Sequence, residues 1–366
     1  MLCANTELFA PYLLGNLWLR NRVIMAPMTR CRATEPGEAP TALMAEYYAQ
    51  RASAGLIISE GVPTSERARG YLYTPGIYSD AQVAGWQQVT AAVHEREGRI
   101  FAQLWHCGRI SHPSLRADRA LPVGPSSQIS QNIFTFALNP EGQPGNLPCG
   151  LPHRLTTEEA AAIPGEFATA AARARDAGFD GVEIHGANGY LFDQFRSGAV
   201  NNERDDAYGG CLENRCRLLL ETVDAVVAVL GPDRVGVRLS PFGSFNDIPA
   251  HPDDLESYLY LANQLDRRGI AYIHLNDQAG EWVHDASSPV LKGIRSAFRR
   301  ALILCGNFDL PKALHAAGRG DLVAFGRPFI ANPNLIARWQ YQHPLLEPDP
   351  KTFYAGGATG YTDYPC

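Results

Sequence analysis

The stretch Phe179–Gly186, which reads FDGVEIHG, decides the fold class of this chain. It is a short apolar run that begins after a glycine-containing turn and ends at a polar residue, His185. Near-continuous apolar runs of this length are typical of parallel strands that are covered on both faces. Runs of the same kind occur along the rest of the sequence, at Arg22–Thr29, Gly55–Gly61, Arg99–His106, Val235–Pro241, Ile270–Asp277, Ala301–Asn307 and Leu322–Arg327.

Helical patterns lie between these runs. Ser79 and Gln82 have the spacing of a capping box ahead of one amphipathic stretch, and Thr156 and Glu159 have it ahead of another that ends at Gly178. Eight strand–helix units in series predict a (β/α)8 TIM barrel. A doubly wound open sheet is the alternative, because periodicity alone does not prove that the sheet closes.

One segment interrupts this alternation. Residues 107–155 are rich in Pro, Gly, Ser and Asn, with a possible hairpin near Phe134–Phe136 and Asn139–Asn146. An insertion of this length after the third strand favours a loop and hairpin at the barrel rim. We therefore expect residues 1–366 to form a single domain that carries an inserted rim.

Composition excludes several classes of protein. The 366 residues are 45% hydrophobic and 19% charged, and the net charge of −6 is spread without clusters of Lys and Arg, so no nucleic-acid partner is expected. No uninterrupted apolar stretch of about 18 residues exists, which predicts no membrane span. The N-terminus lacks a basic leader, and the eight cysteines are scattered, so we expect a cytoplasmic protein with reduced thiols. Only Cys211 and Cys216 lie close together, and no metal site is expected.

The loops after the seventh and eighth strands indicate a phosphate site. Gly306 and Asn307 follow the seventh run, and Gly326 and Arg327 follow the eighth. Barrels often bind phosphate with these two loops through backbone N–H groups. Glycine lets the backbone approach closely, and an arginine adds a bidentate contact.

The fourth strand supplies the sharpest chemical pattern. His185 ends the strand, Asn188 lies in the following turn, and Tyr190 begins the next element. In a barrel these three side chains converge at the C-terminal mouth. Two hydrogen-bond donors aimed at one oxygen stabilise negative charge, and a phenol with a pKa of about 10 can act as a general acid.

Eight long motifs in order resemble the old yellow enzyme family over essentially the whole chain. They are RVIMAPMTR (Arg22–Arg30), EYYAQRASAGLIISEG (Glu46–Gly61), QLWHCGRISH (Gln103–His112), GFDGVEIHGANGYLFDQF (Gly178–Phe195), YGGCLENRCR (Tyr208–Arg217), VGVRLSP (Val235–Pro241), FGRPFIANP (Phe325–Pro333) and FYAGGATGYTDYP (Phe353–Pro365). The resemblance implies an FMN enzyme that NADH or NADPH reduces and that in turn reduces an activated alkene.

The resemblance also implies a role for each matching residue. Thr29 would bond the flavin carbonyl near N5, with Pro27 and Met28 beside the ring, and Gly61 would offer a backbone contact. Gln103 and Arg238 would bond the pyrimidine edge, and the phosphate would lie at Gly306, Asn307, Gly326 and Arg327. His185 and Asn188 would hold the substrate oxygen while Tyr190 protonates the α-carbon. The substrate pocket would be lined by Tyr71, Trp105, Trp282 and Tyr354.

Other readings of the sequence remain open. Another FMN barrel oxidoreductase could act on nitro compounds, nitrate esters or quinones. A phosphate-sugar aldolase or isomerase barrel would want a lysine or another base at a strand end, whereas Lys292, Lys312 and Lys351 all lie elsewhere. A flavin-binding protein without activity is a third reading. The sequence leaves the physiological substrate, the preferred nicotinamide, and the choice between monomer and homodimer undetermined.

Overall fold

Eight parallel strands close into a barrel in the computed structural model, which describes residues 6–365. The strands are β1 (Val23–Met25), β2 (Leu56–Pro63), β3 (Ile100–Trp105), β4 (Gly181–His185), β5 (Val235–Leu239), β6 (Tyr272–Asn276), β7 (Ala301–Cys305) and β8 (Leu322–Phe325). Strand β8 pairs with β1 through Val323 and Val23, so the sheet has no free edge. The predicted TIM barrel is confirmed, and the open-sheet alternative is wrong.

Ten α-helices in residues 6–365 accompany the strands. They are α1 (Ala42–Gln50), α2 (Asp80–His94), α3 (Thr157–Asp176), α4 (Leu191–Arg196), α5 (Leu212–Leu230), α6 (Asp254–Arg268), α7 (Pro289–Ala297), α8 (Leu310–Gly318), α9 (Arg327–Ala331) and α10 (Leu335–Gln340). The two predicted capping boxes are present, with the Ser79 and Thr156 hydroxyls accepting backbone N–H groups of α2 and α3. Gly178, at φ 87°, follows the end of α3 as predicted.

The first strand is shorter than the sequence pattern predicted. The run Arg22–Thr29 contributes only Val23–Met25 to the barrel. The Ala26 N–H still bonds the Phe325 carbonyl, but Pro27 has no N–H to continue the ladder. The chain from Pro27 to Thr29 therefore leaves the sheet and enters the loop at the C-terminal mouth.

Six short strands and five 3-10 turns lie outside the barrel in the described residues. The strands pair as Tyr12–Leu14 with Leu17–Leu19, Val123–Gly124 with His153–Arg154, and Phe134–Leu138 with Pro144–Pro148. The last pair is the hairpin expected within the insertion. The turns are Glu7–Phe9, Glu66–Ala68, Pro113–Leu115, Pro232–Arg234 and Pro350–Thr352.

The hairpin formed by Tyr12–Leu14 and Leu17–Leu19 covers the end of the barrel opposite the mouth. Leu14, Leu17 and Leu19 pack in one cluster with interior side chains such as Ile58 and Ile303. At Gly15, φ is 58° and a Cβ would lie 2.5 Å from the Asp233 carbonyl, so the hairpin tip sits tightly against the start of β5. The site must therefore form at the other end.

The extent of the domain stays a prediction, because residues 1–5 and residue 366 lie outside the described part of the chain. The limits given for the inserted rim, 107–155, stay a prediction as well. No helix within residues 6–365 combines the length and apolar character that crossing a membrane requires.

Candidate active site

His185, Asn188 and Tyr190 lie at the C-terminal end of β4 and in the turn that follows it. His185 is the last residue of β4, Asn188 adopts φ 59° in the turn, and Tyr190 is the N-cap residue of α4. The His185 and Tyr190 rings lie 5.0 Å apart at 72°. The turn thus places the imidazole and the phenol in contact, and Asn188 lies between them in sequence and lines the neighbouring cavity.

His185 offers a neutral hydrogen-bond donor. Its Nδ1 accepts the backbone N–H of Ala187 at 3.3 Å, which assigns the remaining proton of the neutral ring to Nε2. Burial, together with the positive charges of Arg238 and His274, holds the pKa of His185 well below its usual range. The imidazole is therefore uncharged at physiological pH and presents Nε2–H.

Asn188 is held so that its amide group also presents a donor. Its Oδ1 accepts hydrogen bonds from Asn276 Nδ2 at 3.0 Å and Gln278 Nε2 at 2.9 Å. Its backbone N–H donates to the Ser240 hydroxyl, and its carbonyl accepts the Asn246 amide at 2.9 Å. Because the side-chain oxygen is occupied twice, the Nδ2–H₂ group is the part of Asn188 left for a ligand.

Tyr190 carries a protonated phenol in a buried aromatic cluster. Its hydroxyl lies 3.2 Å from that of Tyr71, and its ring meets Trp105 edge to face at 4.9 Å. Burial raises the pKa of Tyr190 above its usual value, with a further increase from Cys107, although contacts with Tyr71 and Asn246 oppose it. The phenol is therefore protonated at physiological pH.

The Trp105 ring depends on a glycine in the neighbouring strand. A Cβ on Gly61 would lie 2.3 Å from Cε3 of Trp105. The register of β2 shifts between Ile58 and Gly61, which brings this glycine opposite Gln103. Trp105 in turn stacks with Tyr71, with ring centroids 5.7 Å apart. The absence of a side chain at Gly61 thus makes room for the Trp105 ring, against which Tyr71 stacks.

The loops after β7 and β8 border one cavity of about 390 Å³. Both predicted phosphate segments line it. Gly306 adopts φ 147°, and a Cβ added to it would lie 2.4 Å from the Asp277 carbonyl oxygen. Arg327 is exposed at the edge of the cavity. The lining residues include Asn188, Phe245, Asn276, Asp277, Gln278, Cys305, Gly306, Asn307, Phe308, Gly326 and Arg327.

Gln103 and Arg238 lie among polar groups inside the upper barrel. Gln103 Nε2 donates to Glu183 Oε1 at 2.8 Å. Arg238 is almost fully buried, yet its Nε has no hydrogen-bond partner among the described residues and its Nη2 reaches only the Cys305 sulfur, at 4.0 Å. A buried guanidinium with open donors fits a polar heterocycle that gains negative charge.

The other predicted contact residues are placed in different surroundings. Pro27, Met28 and Thr29 are half-buried, and Met28 Sδ lies 3.4 Å from the Cβ position of Gly326. Trp282 is half-buried against the hydrophobic core and is not part of the cavity lining given above. Its contact with substrate stays a prediction.

Tyr354 is 65% exposed on the C-terminal segment. Arg30 fastens this segment, since its Nε donates to the Phe353 carbonyl at 2.9 Å and its own carbonyl accepts the Ala355 N–H. The backbone on both sides of Tyr354 is therefore held by Arg30, while the Tyr354 side chain stays open to solvent.

Sequence reasoning missed the residues that hold Asn188. Ser240, Asn246 and Gln278 follow β5 and β6 and reach the β4 turn only through the fold. The one available signal was the position of Ser240 directly after a strand. No cluster of His, Cys, Asp or Glu within residues 6–365 has the arrangement of a metal site.

Enzymes with a (β/α)8 barrel have their active sites at the C-terminal ends of the strands, which is where the polar groups of this chain lie. The chain belongs to the NADH:flavin oxidoreductase / NADH oxidase family, whose model matches residues 7–345. It is therefore a nicotinamide-dependent oxidoreductase with FMN as its cofactor, and the resemblance to the old yellow enzymes is confirmed.

Similar proteins cover nearly the whole chain. A probable flavin mononucleotide-dependent alkene reductase of Leishmania infantum is 41% identical over 97% of this chain and 96% of its own length. The 12-oxophytodienoate reductase 2 of Arabidopsis thaliana is 40% identical over 99% and 96%. Among solved structures, morphinone reductase in complex with tetrahydroNAD is 47% identical, with a TM-score of 0.92 over 99% of this chain and 98% of that one.

Proposed function

We propose that this protein reduces the activated carbon–carbon double bond of α,β-unsaturated carbonyl or nitro compounds. The observation that carries the proposal is the donor set at the end of β4. His185 and Asn188 both have their acceptor atoms occupied, so each presents an N–H group, and the His185 ring lies 5.0 Å from the ring of Tyr190, whose phenol is protonated. The names of two relatives, an alkene reductase and a 12-oxophytodienoate reductase, support the same reaction class.

The residues around the mouth would hold FMN, which when bound supplies the hydride after reduction by NADH or NADPH. Arg238 and Gln103 would meet the pyrimidine edge, because both are buried, Arg238 Nε has no partner among the described residues, and Gln103 has a second amide N–H besides the one donated to Glu183. The remaining contacts would come from Pro27, Met28, Thr29 and Gly61 beside the ring, and from Gly306, Asn307, Gly326 and Arg327 at the phosphate.

The substrate oxygen would accept the Nε2–H of His185 and the Nδ2–H of Asn188. These donors stabilise the negative charge that develops on that oxygen as the β-carbon is attacked. Tyr190 would deliver its phenolic proton to the α-carbon, and Tyr71, 3.2 Å away, would hold the hydroxyl in place. Trp105, Trp282 and Tyr354 would complete the walls of the pocket.

Anaerobic turnover tests this proposal. The FMN-loaded protein should oxidise more than one equivalent of NADH or NADPH per flavin only when a cyclic enone, a maleimide or a nitroalkene is added, and the saturated product should appear in an amount equal to that excess. Oxidation of the nicotinamide without a saturated product would count against alkene reduction. Turnover of quinones or nitrate esters alone would favour the alternative activity. A cytoplasmic location and a monomeric or homodimeric state stay predictions from the sequence.

A further inference from the structure

A chain of hydrogen bonds crosses the barrel below the mouth and ends at Gln103. Glu183 lies at its centre, with Oε1 accepting Gln103 Nε2 at 2.8 Å and Oε2 bonded to His274 Nδ1 at 2.9 Å. Glu183 and His274 have no exposed surface. The three residues come from β3, β4 and β6, so the contact depends on the order of strands in the sheet and not on sequence proximity.

Glu183 and His274 each favour the charged form of the other. Burial raises the pKa of Glu183, but the charge and hydrogen bond of His274, the charge of Arg238 and the hydrogen bond of Gln103 together make the net shift downward. Burial lowers the pKa of His274, while the charge and hydrogen bond of Glu183 and a hydrogen bond with Cys305 together make the net shift upward. Glu183 is therefore a carboxylate, and a carboxylate can only accept hydrogen bonds.

An acceptor-only partner leaves one orientation for the Gln103 amide. The N–H₂ group must face Glu183, because the amide oxygen would be repelled there. One N–H is used in this bond, and the backbone of Gln103 is fixed by donation to Ser59 Oγ at 3.1 Å. The amide then presents its oxygen and its second N–H on the side away from Glu183.

We propose that Glu183, held by His274, is a positioning residue that fixes the Gln103 amide to match the pyrimidine edge of FMN. That edge carries an N3–H donor next to a carbonyl acceptor, which is the complement of one amide oxygen beside one amide N–H. A flipped amide would place an N–H against N3–H and its oxygen against the flavin carbonyl, and would lose both contacts. Glu183 itself contacts no reacting atom.

The inference rests on the proposed contact between Gln103 and the flavin, and three variants separate the two ideas. Gln103→Met removes the contact itself, Glu183→Met removes the acceptor that orients the amide, and Glu183→Gln keeps an oxygen acceptor at nearly the same volume. Each is loaded with FMN and compared by resonance Raman spectroscopy, using the N3–H bending mode that is identified by its shift in D₂O. The FMN dissociation constant is measured in parallel.

We expect Gln103→Met and Glu183→Met to move the N3–H band toward that of free FMN and to weaken FMN binding by roughly tenfold, the value of about one hydrogen bond. Glu183→Gln should keep the wild-type band. A wild-type band in Glu183→Met, with a shifted band in Gln103→Met, overturns the positioning role and leaves the flavin contact standing. An unchanged band in Gln103→Met overturns both.

A second pair at His274 keeps the test decisive if Glu183→Met does not fold. His274→Leu removes the N–H that holds the carboxylate, whereas His274→Asn retains a donor. The Leu variant should shift the N3–H band in the same direction as Glu183→Met, and the Asn variant should not. Equal bands in the two His274 variants overturn the inference.

Discussion

Asn276 Nδ2 donates to Asn188 Oδ1 across 3.0 Å and so ties the end of β6 to the turn after β4. The bond determines which end of the Asn188 amide is free. Together with the second donor, Gln278 Nε2, it fixes the amide against rotation by 180°. The polarity of the proposed oxygen site is therefore set by residues that are not among its predicted substrate contacts.

Removing both donors should loosen the Asn188 amide. We expect the double variant Asn276→Leu/Gln278→Met to bind a phenol, which mimics the substrate oxygen, roughly tenfold more weakly, since one directed hydrogen bond is lost. Titration of the oxidised flavin absorbance with the phenol measures this. Gln264→Met in α6 serves as the control, since it removes an amide from a different element. Unaltered phenol affinity in the double variant would show that Asn188 is oriented by other contacts.

Tyr190→Phe should slow only one half of the reaction. Loss of a general acid costs roughly 10²- to 10⁴-fold in the step it serves, so alkene reduction by the reduced enzyme should fall by that factor. Reduction of the flavin by NADPH or NADH should stay within about twofold of wild type by stopped-flow spectroscopy. Tyr208→Phe, whose hydroxyl bonds Glu221 instead, is the matched control. Equal slowing of both half-reactions would argue against proton donation by Tyr190.

Gly61→Ala should displace Trp105. The new Cβ would lie 2.3 Å from the indole, and relieving such an overlap costs about 1–3 kcal/mol of unfolding free energy. Gly165→Ala in α3 meets no atom within 4 Å and should be neutral or slightly stabilising. Chemical denaturation of both variants, with Trp fluorescence as the probe, provides the comparison. A Gly61→Ala protein as stable as wild type would mean that Trp105 moves freely.

Glu60 should make stability depend on pH. Burial raises the pKa of this carboxyl to about 7, although the Arg30 N–H and the Tyr48 hydroxyl oppose the shift. Between about pH 4.5 and 7 the native state holds the Glu60 proton that the unfolded chain releases. Stability therefore falls as pH rises through this window, by up to about 3 kcal/mol.

The variant Glu60→Gln should remove this component, so its unfolding free energy should change less between pH 5 and pH 8 than that of wild type. Glu46→Gln, which alters an exposed carboxyl of α1, should retain the wild-type dependence. Parallel pH profiles for wild type and Glu60→Gln would contradict the raised pKa.

Much of the fold could be predicted because its signals are local. Each barrel strand is a short apolar run, and Val235–Leu239 lies within the run identified from sequence. The predicted ends extended too far where the chain leaves the sheet, as at Pro27. Ladder hydrogen bonds, and not hydrophobicity, decide where a strand stops.

The site was predictable where its residues directly follow strand ends. His185, Asn188 and Tyr190 follow one strand, so the turn alone brings them together. Glu183 and His274 lie 91 positions apart, and Asn188 and Gln278 lie 90 apart. Such pairs are set by the order of strands in the sheet, and a single sequence contains no periodic signal for them.

The buried Nε of Arg238 connects the folding of the chain to cofactor binding. Its Nε is buried without an acceptor among the described residues, which is a cost that the polypeptide alone does not offset. A ligand that bonds this group only in the native state adds RT ln(1 + [L]/Kd) to the unfolding free energy. The cofactor thereby acts as part of the barrel interior, and the supply of FMN in the cell helps to set the fraction of this chain that stays folded.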